Sequence, residues 1–128
     1  QYSKAKIFSL PNEFGCEYIL PDGYNRLYMA NAQRIMYMNL TDNSVHQILS
    51  MPGNTSFAWT LSANKQLLIL YCDKGFMQVD LLKHTYKPLP QNINLSENEE
   101  VKVILQTLNH ELLAGTSKST AHMGKIIT

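Results

Sequence analysis

Ala58-Trp-Thr-Leu-Ser-Ala-Asn-Lys-Gln-Leu-Leu-Ile-Leu-Tyr-Cys72 is a short apolar run, a polar turn around Asn64, and a second apolar run. Two other stretches share this plan. Glu17-Tyr-Ile-Leu-Pro-Asp-Gly-Tyr-Asn-Arg-Leu-Tyr-Met-Ala-Asn31 precedes it, and Val103-Ile-Leu-Gln-Thr-Leu-Asn-His-Glu-Leu-Leu-Ala-Gly-Thr-Ser117 follows it. The copies stand about 40 to 45 residues apart, a period at which repeat architectures such as propeller blades recur. Within Leu67-Leu-Ile-Leu-Tyr71 every residue is apolar, where a half-buried strand would alternate. The run is too short for a helix, and Asp73-Lys-Gly75 stops it. An antiparallel strand that is apolar on both sides needs both faces of its sheet covered, as stacked blades provide.

Punctuation around these runs fills in the other strands. In the first unit strands are expected at 17–20, 27–30, 35–40 and 45–49, with Pro21-Asp-Gly-Tyr-Asn25 a strong turn. The second unit gives strands at 57–61, 67–72, 76–81 and 85–90; Pro88 and Pro90 assign the last to a sheet edge, where missing N–H groups cost nothing. The third gives 101–107, 111–116 and 123–128, with 117–120 polar, and a further strand is read at 6–10. No helix-length amphipathic segment is present. The reading is therefore all-β: about three four-stranded antiparallel blades of a β-propeller, part of a larger propeller. Its divisions are an outer strand (1–12), a blade (13–52), a second blade (53–91) and a partial blade (92–128). Residues 1–10 are placed to complete that partial blade.

Composition agrees. The 128 residues carry 45% apolar side chains, enough for a core, and only 16% charged ones. Eleven asparagines supply turns. With a net charge of +1 and no basic stripe, nucleic acid is not an expected partner. No stretch approaches the roughly 18 apolar residues of a membrane span, so no membrane contact is expected. The first ten residues lack a signal-peptide core and an initiator Met, which reads as a mature or excised segment. Cys16 and Cys72 are expected to be free, mostly buried thiols, with a single disulfide as the alternative.

Chemistry-bearing patterns are missing. The sequence has no nucleophile elbow, P-loop, HExxH or dinucleotide fingerprint, and its four histidines lack ligand spacing, so no catalytic residue, metal or cofactor is expected. Asp22, Asp42, Asp73 and Asp80 sit in or beside turns, where a carboxylate ordinarily caps local N–H groups. In a propeller the loops between second and third strands and between blades form one rim. Here they carry Asn31, Gln33, Arg34, Asp73, Lys74, Ser117, Lys118 and His122, with Asn12, Glu13 and Asn54. Arg34, Asp73, Lys74 and His122 are the candidate ligand-binding groups. Tyr24 and Trp59 are candidate stacking platforms, Trp59 having core packing between blades as its ordinary role.

Phe57-Ala-Trp-Thr-Leu61, Gln66-Leu-Leu-Ile-Leu-Tyr-Cys72, Asp73-Lys-Gly-Phe-Met-Gln-Val-Asp80 and Tyr86-Lys-Pro-Leu89 together resemble a two-component regulator propeller repeat, and Leu113-Ala-Gly-Thr116 matches its "ile-gly-thr" piece. The family's second-strand Trp is replaced by Tyr28, Leu68 and Leu113, and its Gly-Gly-Leu by Lys74-Gly-Phe76. The resemblance implies the periplasmic sensor domain of a hybrid two-component system from Bacteroidetes-like bacteria. It further implies an oligosaccharide ligand and signalling to a histidine kinase elsewhere in the parent chain. The alternatives are a fragment of a propeller-type carbohydrate-active enzyme, whose innermost strands would carry carboxylates, and a protein-interaction propeller of WD or kelch type, whose dipeptides are absent. An open arc of blades would expose apolar faces, so the partners expected are further copies of the chain or the remainder of a longer one.

Overall fold

The computed structural model describes residues 10, 15–50, 58–72 and 75–126. Eleven strands and no helix occur among them. Strands β1 (Tyr18–Pro21), β2 (Arg26–Ala30), β3 (Arg34–Asn39) and β4 (Val45–Ser50) form the first sheet in sequential order. β5 (Ala58–Leu61), β6 (Leu67–Cys72), β7 (Gly75–Asp80) and β8 (Thr85–Pro88) form the second in the same way. β9 (Val101–Gln106), β10 (Glu111–Thr116) and β11 (Thr120–Lys125) form a three-stranded third sheet. Every pairing is antiparallel. Of the strand read at 6–10 and the outer strand assigned to 1–12, only Leu10 lies within the described residues.

The second sheet is the middle layer. Its strand β6 is buried along nearly its whole length, and its side chains divide by parity, as the period of two demands. Leu68, Leu70 and Cys72 join Val79 and Leu81 in a cluster with Tyr28, Ala30, Ile35, Ile48 and Leu49 of the first sheet. Ile69 points the other way, packing with Ala58 and Phe76 against Ile104, Leu112 and Ala114 of the third. The uninterrupted apolar run at 67–71 thus has the cause read from it: a sheet lies on each side. A third cluster, Met29, Met36 and Met38, covers the first sheet's outer face, with Leu10 packed against it.

Hairpin turns use the residues that tolerate them. The Asp22 carboxylate accepts the N–H groups of Tyr24 (2.7 Å) and Arg26 (3.2 Å), Asp42 that of Ser44 (2.9 Å), and Asp80 those of Leu82 (2.9 Å) and Lys83 (2.8 Å). These N–H donors hold the Asp80 carboxyl below its usual range, and at Asp42 the Ser44 hydroxyl does so first. Gly23 takes φ +83°, a left-handed conformation that a side chain would strain.

Three expectations are corrected. The last strand begins at Thr120 rather than Met123, because the polar hairpin needs only 117–119 before pairing resumes opposite Gly115. Cys16 is exposed rather than buried, while Cys72 is buried; neither forms a disulfide. The repeat register also differs by one residue. The hairpin-closing bonds Asp22 N–H to Arg26 O, Ser62 N–H to Leu67 O, and Thr107 N–H to Glu111 O make Arg26, Leu67 and Glu111 equivalent. Two positions on, the equivalents are Tyr28, Ile69 and Leu113, not Tyr28, Leu68 and Leu113. A one-residue slip in a strand exchanges its faces, so this register decides which side chains meet a neighbouring sheet.

Candidate functional site

Of the six side chains singled out from sequence, the four within the described residues do not converge. Arg34 opens β3, where Asn31 Oδ1 accepts its backbone N–H (3.1 Å) and that of Gln33 (2.8 Å). Asn31 Nδ2 in turn donates to Gly15 O (3.2 Å), so this amide is engaged in holding the β2–β3 loop. Trp59 lies half-buried against the cluster between the first and second sheets, its ordinary packing role. His122 stands on strand β11 rather than in a rim loop: it faces Leu113 across the pair and meets Glu111 Oε2 at 3.1 Å through Nδ1. Asp73 and Lys74 lie outside the described residues. Tyr24 belongs to the β1–β2 hairpin, at the opposite end of β2 from Arg34. With five residues between the two turns, they are separated by roughly 15 Å of strand.

Side chains that do come together gather at the hairpin end. Lys65, in the β5–β6 turn of the second sheet, donates from Nζ to the Asp22 carbonyl of the first at 2.6 Å and stands 4.7 Å from the centre of the Tyr24 ring. Tyr24 is 80% exposed, unusual for so large a ring. On the same sheet Arg26 lies 4.1 Å over the Tyr37 ring, and Tyr37 stacks on His46 at 4.9 Å. His46 Nε2 is 2.9 Å from the Ser44 hydroxyl. Two cation–ring pairs at one rim, each attractive through the ring's quadrupole, combine flat apolar surface with hydrogen-bond donors. A Cβ at Gly23 would sit 3.1 Å from Lys65 Nζ, so the end of the lysine would have to give by a few tenths of an ångström.

The next sheet boundary repeats the bridge with different chemistry. Gln106, buried at the end of β9, accepts the Ala63 N–H through Oε1 (2.8 Å) and donates from Nε2 to His110 O (3.1 Å) and Ile126 O (3.2 Å). Asp22 to Lys65 and Ala63 to Gln106 are both 43 residues apart. Sequence reasoning missed Lys65 and Gln106. The signal was present in the period, since a residue one repeat after a turn is placed to touch that turn.

The opposite end holds a clasp. Glu99 accepts the Thr116 hydroxyl (2.5 Å), the Ser96 N–H (2.9 Å) and the Ser96 hydroxyl (3.1 Å), while Lys118 Nζ reaches Ser96 Oγ (3.1 Å) and Glu97 O (3.2 Å). These bonds, led by that from Thr116, bring the Glu99 carboxyl down to about 2 from 4.5. Because the folded value lies below the unfolded one, the clasp stabilises the fold fully above the unfolded value and loses that contribution as pH falls through the folded one. Glu99→Gln should therefore lower the melting temperature near neutral pH. The gap to the parent should close as pH approaches about 2 in thermal melts across pH. An equal gap at both pH values would show that the charge is not what the clasp uses. No group of three or more metal-ligating side chains occurs among the described residues.

No family model matches the chain, and no curated protein matches it. Similarity is found among solved structures. The extracellular domain of BT4673 from B. thetaiotaomicron, described as a one-component system, aligns with a TM-score of 0.62 at 13% identity over 88% of this chain. The N-terminal domain of Nup159 aligns at 0.50 and 9% identity over 87%. Both are propeller-type domains. The chain spans 15% of the first and 30% of the second. At these identities the likeness concerns the fold, and with three stacked antiparallel sheets it establishes an all-β, propeller-type architecture.

Proposed function

We propose that this chain is a ligand-binding segment of an extracytoplasmic sensor propeller that recognises a saccharide at its hairpin rim. The observation that carries the proposal is the exposed Tyr24 ring with the Lys65 ammonium 4.7 Å from its centre. A ring offers a flat apolar surface to the C–H face of a sugar, and an ammonium offers donors to its hydroxyls. The fold shared with the extracellular domain of a one-component system supports an extracytoplasmic, periplasmic setting. Binding rather than catalysis is favoured because the strands that open each sheet, β1, β5 and β9, contain no carboxylate. In the parent chain the ligand would act on a histidine kinase by shifting a population between arrangements of the sensor, which requires different affinity for the two arrangements.

Calorimetric titration with a panel of neutral and acidic oligosaccharides tests this. Tyr24→Ala should weaken the best ligand by about tenfold, the loss of one stacking contact of about 1.4 kcal/mol. Failure of every oligosaccharide to bind the parent ectodomain would overturn the proposal, as would full affinity in the alanine variant.

A further inference from the structure

Two cations stand where the first and second sheets meet at the hairpin rim, and neither has a carboxylate partner among the described residues. Arg26 closes the β1–β2 hairpin, its carbonyl accepting the Asp22 N–H. Its guanidinium lies 4.1 Å over the Tyr37 ring. Arg26, Tyr28 and Tyr37 share one face of the first sheet, because Tyr28 pairs with Tyr37 and Arg26 precedes Tyr28 by two positions. Tyr28 and Tyr37 pack in the cluster shared with the second sheet, so that face looks across the boundary. Lys65 reaches the same hairpin from the second sheet, bonding the Asp22 carbonyl at 2.6 Å. The ion pairs among the described residues are Lys102–Glu100 and His122–Glu111, so no carboxylate among them neutralises Arg26 or Lys65.

The nearby aspartates are committed to their own turns. Asp22 directs its carboxylate to the N–H groups of Tyr24 and Arg26, Asp42 to that of Ser44, and Asp80 to those of Leu82 and Lys83. The rings, meanwhile, position the cations. Stacking occupies the face of a guanidinium, while its five N–H donors lie in the plane, in a fork that fits two oxygens of one carboxylate or sulfate. An ammonium has three donors, and the Asp22 carbonyl takes one from Lys65. A neutral hydroxyl could also accept from either cation, but a charged acceptor makes a bond roughly twice as strong. We infer that the ligand of this rim is an anionic saccharide: its sugar ring lies on Tyr24, and its carboxylate or sulfate is taken by the Arg26 fork with Lys65 beside it. This names the ligand class for the saccharide reading above and rests on it. Tyr24 and Arg26 are two residues apart in the chain, at most about 7 Å between Cα atoms, a span that one sugar ring and its charged substituent cover.

The test is calorimetric titration of the intact parent ectodomain with matched pairs: a uronate oligosaccharide against its methyl ester, and a sulfated oligosaccharide against its desulfated form. At low salt the charged member of a pair should bind at least about tenfold more tightly than the neutral one. That preference should shrink to within about twofold as salt rises from about 0.01 M to about 1 M, over which the Debye length falls from about 30 Å to about 3 Å. The salt series needs no variant. Arg26→Gln should erase the preference at low salt, and Arg26→Lys should keep only part of it, since the charge survives and the fork does not. Both variants are titrated below their melting temperatures, so that lost recognition is not lost folding. The pair that shows the preference identifies the anion as carboxylate or sulfate. Neutral members that bind as tightly as charged ones overturn the inference and leave the saccharide reading standing. So does a preference that Arg26→Gln leaves unchanged. Binding by no member overturns the saccharide reading itself, and this inference with it.

Discussion

Leu70→Ala is expected to lower the unfolding free energy by about 3 kcal/mol, within the range for a fully enclosed leucine. Leu70 is fully buried on β6, in the cluster that joins the first and second sheets. The methyl groups removed are wrapped by both sheets, and a sheet held by ladder bonds on both edges of β6 cannot easily collapse into the space. The cost therefore includes a cavity as well as lost transfer energy. Leu82→Ala supplies the contrast. Leu82 sits in the β7–β8 turn at 90% exposure, so its truncation should change stability by no more than about 0.5 kcal/mol. Urea denaturation of both variants checks the pair. Equal small effects would mean that the first and second sheets are not packed as described.

Gln106→Leu should cost about 2 kcal/mol, because it strips hydrogen bonds from buried backbone while keeping the side-chain volume. One amide links the turn of the second sheet, through Ala63, with the β9–β10 turn and the chain beyond β11, through His110 and Ile126. The Ala63 N–H has Gln106 Oε1 at 2.8 Å and would be left without this acceptor. Gln106→Glu separates the roles: the acceptor for Ala63 remains, while the donors to His110 and Ile126 are lost. Above the usual carboxylate range it should be no more stable than the leucine variant, because a buried carboxylate oxygen then faces the His110 and Ile126 carbonyls. If leucine is as stable as the parent in chemical denaturation, the bridge contributes nothing net.

The candidate site was legible only in parts. Tyr24 is a candidate platform by residue type, and in its Pro-Asp-Gly turn it is exposed. Its neighbour Lys65 carries no mark in the sequence, because its approach to Asp22 depends on how two turns 43 residues apart meet across a sheet boundary. Arg34 and Tyr24 are both candidates by residue type, yet antiparallel pairing sends them to opposite ends of one strand. His122 follows the polar Ser117-Lys-Ser-Thr120, which by composition reads as loop. Pairing with β10 instead carried the strand back to Thr120, since backbone partners were available whatever the side chains.

The sequence by itself determined the strands and turns of the first two sheets within the described residues and the need to cover both faces of β6. Those properties are local: proline and glycine constrain single backbone positions, Asp and Asn cap adjacent N–H groups, and an all-apolar run states its own demand for burial. Only the tertiary structure decided the register between repeats and the rim on which each polar side chain lies. These depend on hydrogen bonds and packing between sheets far apart in the chain. A shift of one residue exchanges the faces of a strand while leaving its composition unchanged.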